Sequence, residues 1–416
     1  MKSLIYLITI FFALSANAQD TLILLKPARV FDGNTLHNNW QILVQKERII
    51  ATGENLKTNQ PVRVINLPNC TLLPGLIEGH SHLLLHPYNE TSWNEQVLQE
   101  SRAERIARAT VHARNTLLAG FTTVRDLGTE GADYDDVGLK KAIEKGIITG
   151  PRMLVAGRAL VATGSYGPKG FQSDVSILQG AEEADGVDNL SKAVRTQIGK
   201  GADLIKVYAD YRWGLNQEAQ PTFLEEELAL VVKIANSAGR NVVAHAATAE
   251  GMRRAIMAGI STIEHGDNGT PEVFKLMVEK NVCLCPTLSA GDATSQYRGW
   301  KKGIEPEPER LITHRKTFKL ALEAGVKICM GGDVGVFRHG DNAREMEMMH
   351  DYGMKNIDVL KSSTSINADT FGLKDLGKIQ ANYLADIIAV EGNPIDNISA
   401  IRKIKLVMKG GRIYGE

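Results

Sequence analysis

Leu73-Pro74-Gly75-Leu76-Ile77-Glu78-Gly79-His80-Ser81-His82 sets an apolar run against two histidines one residue apart. Strand side chains alternate with period two, so on a strand His80 and His82 point to one side and can hold one metal ion. Alone, the pair equally fits two surface histidines in a loop. Four later strand-like segments answer it, each ending in one potential ligand: Lys206, His245, His265 and Asp333. Four neutral imidazoles and a carboxylate suit zinc. Lys206 is the odd member, because an ammonium has three donors and no lone pair. Its plain reading is a salt bridge to Asp333. Within a metal cluster it must be neutral or modified. Addition of CO₂ to the amine gives a carbamate whose two oxygens can bridge two metals. Two divalent cations are then offset by carbamate, aspartate and a bridging hydroxide.

The elements that position these residues repeat one device. A helix ends near a glycine and a β-branched strand follows. It occurs at Gly120 before Phe121-Thr122-Thr123-Val124, at Gly201 before Leu204-Ile205-Lys206-Val207, and at Gly239 before Val242-Val243-Ala244-His245. Gly259 and Gly325 repeat it. A helix is predicted over 94–119. Repeated βα units imply parallel strands with right-handed crossovers. Segments near residues 76, 123, 153, 205, 243, 263, 283 and 328 supply eight strands. The predicted fold class is α/β, a (β/α)₈ TIM-like barrel over 74–377, in which reactive residues sit at the C-terminal strand ends. A doubly wound sheet would want a Gly-rich phosphate loop after its first strand, and none is found. Short strands at 19–73 and 378–416, the latter with a Gly410-Gly411 hairpin turn, predict a small β-sandwich built from both termini.

Met1 to Ala18 reads as a signal peptide: Lys2, an apolar stretch from Leu4 to Leu14, and Ala16-Asn17-Ala18 as the cleavage site. The mature chain should begin near Gln19, exported to the periplasm or secreted. The apolar run is short for a membrane anchor. The 48 basic residues balance the 48 acidic ones, which argues against nucleic-acid or membrane partners for the mature chain. A hydrophobic content of 43% excludes a disordered chain. Cys70, Cys283, Cys285 and Cys329 read as small core residues; a Cys-x-Cys zinc site lacks a second pair nearby.

Taken together, Pro74 through His82, Gly120 through Asp126, Lys206-Val207-Tyr208, His245-Ala246, Glu264-His265-Gly266 and Gly332-Asp333 resemble the amidohydrolase superfamily in its binuclear zinc form. Ala385 through Ile388, Asn393-Pro394 and Val407 through Gly411 extend the match. The similarity is greatest to the imidazolonepropionase-like and prolidase-like branch. The resemblance implies that His80, His82, Lys206 and Asp333 hold the more buried metal, and that a carboxylated Lys206, His245 and His265 hold the second. It implies that Asp333 takes a proton from a metal-bridging hydroxide and delivers it to the leaving nitrogen. Tyr208 faces the same way as Lys206, and its hydroxyl can stabilise the oxyanion; packing at the barrel rim is the plain alternative. Two positions depart from the family. Tyr166 stands where the branch has a loop histidine, and Asn382 replaces a turn glycine.

Three classes of function follow: a binuclear hydrolase of an amide, peptide or lactone bond, a mononuclear deaminase, and a non-catalytic metal-binding protein. A deaminase does not need Lys206, and a binding protein does not need Asp333 beside five other ligands. The expectation is an amidohydrolase cleaving a C–N bond of a dipeptide or N-acyl amino acid, with a cyclic amide or lactone as the alternative. Arg158, Lys169, Arg212, Arg338 and His339 fall on loops of the catalytic face, where a substrate carboxylate would find an Arg fork. Pairing with Asp210, Asp341 or Glu345 is the plain alternative for each. The expected partner is a small-molecule substrate, and a homo-oligomer is compatible with this reading.

Overall fold

The computed structural model describes residues 22–172, 174–212 and 218–415. The expected signal peptide and the start at Gln19 lie outside the described residues. None of the described helices is long and apolar enough to cross a membrane.

The middle of the chain is a TIM-barrel-like set of parallel strands. Leu76–Ser81, Phe121–Asp126 and Arg152–Val155 pair in that order. Leu160–Val161, Ile205–Tyr208, Val242–Ala246, Thr262–His265 and Cys283–Cys285 continue in parallel. Several of these strands are buried along their whole length, as strands covered on both faces must be. The third expected strand is broken, with Gly157 at φ +68° between its halves. The eighth makes only bridges, Leu284 to Ile328 and Ser81 to Val334. Gly331, Gly332 and Asp333, whose φ is +60°, lie between these two bridges.

The helix predicted over 94–119 is two helices, Trp93–Leu98 and Arg102–Leu118. Ser101 divides them: its side chain accepts from the Glu104 amide and starts the second helix as an N-cap. Gly201 closes helix Gly186–Lys200 in the left-handed conformation, φ +110°.

Both chain ends enter one mixed sheet of eight strands. Leu22–Phe31 runs parallel to Val62–Pro74, which pairs on its other side with Ile387–Glu391. Ile404–Lys409 and Arg412–Tyr414 complete the C-terminal part through the Gly410-Gly411 turn. Asn382 adopts φ +72°, the conformation a glycine would take at that turn. All four cysteines are free and buried. Cys283, Cys285 and Cys329 pack together, and Cys70 sits in the core of the terminal sheet.

Candidate active site

Four strand ends and the turn after the eighth segment bring His80, His82, Lys206, His245, His265 and Asp333 into one place. Asp333 Oδ1 lies 3.3 Å from His82 Nε2 and 3.5 Å from His80 Nε2. The ring of His265 is 5.2 Å from that of His80 and 4.4 Å from that of His245. His265 and Asp333 both sit at positive φ, +77° and +60°. Such backbone costs about 1–3 kcal/mol per residue and persists where surrounding structure enforces it. Here it turns two side chains at strand ends toward the shared centre.

Three of the four imidazoles are hydrogen-bonded through the nitrogen that faces away from the centre. His80 Nδ1 is 3.0 Å from Glu264 Oε2, His82 Nδ1 is 2.9 Å from the Gly128 carbonyl, and His265 Nδ1 is 2.7 Å from Thr287 Oγ1. A carbonyl only accepts, so His82 carries its proton on Nδ1 and, when neutral, keeps a lone pair on Nε2. His245 is turned the other way: its Nε2 lies 3.7 Å from Asp210 Oδ1. Three Nε2 atoms and one Nδ1 are thereby left for a ligand, the outer partners fixing tautomer and orientation. Burial is the largest cause that holds His80 near pKa 4 and His245 near 3, so both stay neutral donors. His82 goes the other way, to about 9, because its contact with Asp333 outweighs burial. A metal cation would take the place of that proton.

Glu264 anchors the arrangement. It is fully buried and accepts from Arg125 Nη2 at 2.7 Å as well as from His80. Burial works against its charge, yet Arg125 and His80 hold the carboxyl well below the usual range. Arg125 also donates to the Gly79 carbonyl at 2.6 Å, tying it to the strand that carries His80. His80, Glu264 and Cys285 form a second close group. Its carboxylate is already committed to Arg125 and His80, and burial pushes the Cys285 thiol up, so the group is a poor metal site.

Lys206 bears on whether the residues suit a metal pair. It is 1% exposed, and its Nζ has no hydrogen-bond partner among the described residues. The salt bridge to Asp333 is not formed. An unpartnered buried ammonium is costly. Burial depresses its pKa and favours the neutral amine, the form that adds CO₂. A carbamate here would give the site the bridging anion it lacks, so the donor set fits two divalent cations.

The centre opens on a cavity of about 500 Å³. Tyr208 and Tyr166 line it, as does Arg212. Tyr208 stacks on His245 with ring centroids 4.7 Å apart. Burial raises the hydroxyl pKa of both tyrosines, which keeps them protonated and able to donate. The other expected carboxylate readers lie elsewhere. Arg158 faces Glu182 at 3.7 Å, outside the cavity. The Lys169 ammonium donates to the Arg212 carbonyl. Arg338 is exposed and does not line the cavity. His339 is buried, stacks on His112 at 4.3 Å and donates to the Leu85 carbonyl, a packing role. Chain order had assigned these residues to a face of the barrel, and a face is wider than a cavity. Glu130, Tyr88, Tyr211, Arg298 and Arg310 do line it and escaped the sequence reading. So did the roles of Arg125 and Glu264. Their signal was a charge inside a strand of the barrel core, where burial demands a partner.

Fold and centre together define an α/β protein of TIM-barrel-like architecture whose candidate metal ligands come from the ends of parallel strands. The chain belongs to the amidohydrolase family, whose model matches residues 71–414. It is an enzyme that hydrolyses C–N bonds, of the prolidase-like branch. It is 29% identical to ochratoxinase of Aspergillus niger over 92% of this chain and 84% of that protein. The structure of a Xaa-Pro dipeptidase with bound methionine superposes with a TM-score of 0.85 at 31% identity, covering 95% of this chain and 100% of that one. A prolidase complexed with N-methylphosphonate-L-proline superposes at 0.82 with 26% identity, covering 95% and 100%.

Proposed function

We propose that the protein cleaves the amide bond of a dipeptide or N-acyl amino acid whose nitrogen side carries a free carboxylate, at a centre of two zinc-class cations. The observation that carries this reading is the buried, unpartnered Nζ of Lys206 among four imidazoles and a carboxylate. His80, His82, Asp333 and the carbamate of Lys206 would hold one cation; His245, His265 and the same carbamate would hold the other. When bound, the cations supply Lewis acidity toward the scissile carbonyl and lower the pKa of water for attack. Asp333, within 3.5 Å of two ligand nitrogens, takes the proton on its carboxylate and passes it to the leaving nitrogen. The Tyr208 hydroxyl donates to the oxygen on which charge develops. The named relatives, a Xaa-Pro dipeptidase, a prolidase and ochratoxinase, support an amide substrate. Elemental analysis of protein grown with zinc and bicarbonate tests the centre, with two metals per chain expected. A firm value of one would sink the binuclear reading.

The same reading closes the eight strand segments into a barrel over 74–377, supported by the bridges Leu284–Ile328 and Ser81–Val334. It takes the sheet from 19–73 and 378–416 as a small sandwich around Leu25, Ile42, Leu72 and Ile387. It takes the protein as exported, supported by the composition of residues 1–18, with Gln19 expected first in N-terminal sequencing of the mature chain.

A further inference from the structure

Glu130 is a carboxylate with no evident task. It is 2% exposed, lies on the cavity wall, and makes no ion pair among the described residues. Its Oε2 accepts from the Tyr166 hydroxyl at 2.6 Å and from Trp93 Nε1 at 3.0 Å. Its Oε1 is buried and has no hydrogen-bond partner among the described residues. The loop that carries it is held firmly. Glu130 has φ +50°, and the buried Arg105 clamps the carbonyls of Thr129 and Glu130, each at 2.8 Å. A strained, clamped backbone delivering a half-satisfied carboxylate to a cavity marks a binding group, because an unmade buried hydrogen bond costs about 1–3 kcal/mol.

The surroundings define the ligand's charge. Tyr166, Tyr208 and Tyr211 form a cluster of rings, with centroids 4.6, 4.9 and 5.7 Å apart, on the same cavity wall. Tyr88 joins them on that wall. Aromatic faces beside a carboxylate attract a cation and repel an anion. The place is also set. Glu130 Oε1 and the His82 ring both come within 4 Å of one point beside Gly128. A group read there sits next to the metal centre, one or two bonds from the carbonyl being hydrolysed. In a dipeptide that group is the α-ammonium of the N-terminal residue.

We infer that Glu130, with Tyr166, Tyr208 and Tyr211, binds the free α-ammonium of the substrate, so that the protein is a dipeptidase rather than a deacylase of N-acyl amino acids. This rests on the amide-hydrolase reading above. Tyr166, in place of the family's loop histidine, is then a positioning residue that fixes the carboxylate.

Two measurements separate the inference from the reading beneath it. The first is turnover of a dipeptide library beside the N-acetylated form of each member, with zinc-loaded protein. The free dipeptides should have at least tenfold higher kcat/KM, and Glu130→Gln should erase that preference by lowering kcat/KM on the free dipeptides. Turnover with equal kcat/KM on both forms overturns the inference and leaves the hydrolase reading intact. The second is calorimetric binding of leucinol against isohexanol, the same carbon skeleton without the amine. Wild type should bind leucinol at least tenfold more tightly, and Glu130→Gln should not discriminate. That preference in a protein with no turnover keeps the ammonium site and sinks the hydrolase reading. Tyr166→Phe leaves the charge and the ring in place but removes one hydrogen bond to the carboxylate, so it should weaken discrimination by less than Glu130→Gln does. Its loss in Tyr166→Phe as fully as in Glu130→Gln would trace the effect to cavity shape and overturn the inference.

Discussion

Asp333 is held at φ +60°, a conformation that asparagine tolerates as readily as aspartate. Asp333→Asn therefore removes the carboxylate without asking the backbone to move. The expected outcome is a fall in kcat of about 10²–10⁴-fold with a much smaller change in KM, since a proton carrier acts in the transition state. Steady-state kinetics on any turned-over dipeptide checks it, and unchanged kcat would remove Asp333 from that role. Glu264 offers a different test, because it touches no substrate. Glu264→Gln keeps the shape but loses the charge that anchors His80 Nδ1 and faces Arg125. Zinc affinity should drop about 10–100-fold in a chelator competition. Folding stability should fall by about 3–5 kcal/mol in denaturant titration, because Arg125 is left buried and unpaired. The two residues also mark what sequence can carry. The ligands were legible because each ends a strand-like run, and strand ends gather in this architecture. The Arg125–Glu264 pair joins residues 139 apart in sequence. Two charges so distant do not announce each other without the strand order.

At the level of elements, the same limit appears as local chemistry overriding period. The apolar pattern of 94–119 reads as one helix, and Ser101 as N-cap makes it two. The eighth segment reads as a strand, yet it makes only isolated bridges on either side of Gly331-Gly332 and Asp333. Helix Ala343–Asp351 shows how an element away from the strands supports the centre. Its Glu345 accepts from the amides of Leu288 and Ser289 at 2.9 and 2.7 Å and from Ser289 Oγ at 2.6 Å. Those amides open helix Leu288–Tyr297, next to the Thr287 that holds His265 Nδ1. Burial raises the Glu345 carboxyl from 4.5 to about 7. The folded state thus holds this proton more tightly than the unfolded state. Its contribution is fully present below the unfolded value and is lost as pH rises through about 7. Thermal melts across that window should show stability declining with pH, and Glu345→Gln should flatten the decline. At acid pH the variant should still be weaker by about 1–3 kcal/mol, because one accepting oxygen becomes an amide nitrogen.

The whole molecule presents its cavity as a dipolar container. Glu130 and four tyrosines line it together with Arg212, Arg298 and Arg310. The cations are not equivalent. Arg310 lies 3.3 Å from Asp267, and Arg212 packs on the ring of Tyr211. Arg298 follows helix Leu288–Tyr297 at its C-terminal end, and its side chain makes no ion pair among the described residues. It is therefore the cation most available to a substrate carboxylate, as a guanidinium fork suits that group. Amidating the C-terminal carboxylate of a good dipeptide substrate should lower kcat/KM at least tenfold, about 1.4 kcal/mol of transition-state binding. Arg298→Ala should cost the free acid a similar factor and the amide little, so that the two losses do not add. Additive losses would place the carboxylate against another cation, with Arg212 next in line. Equal rates on acid and amide in wild type would remove carboxylate recognition altogether, and turnover confined to cyclic amides or lactones would move the chain to the imidazolonepropionase-like side of its branch.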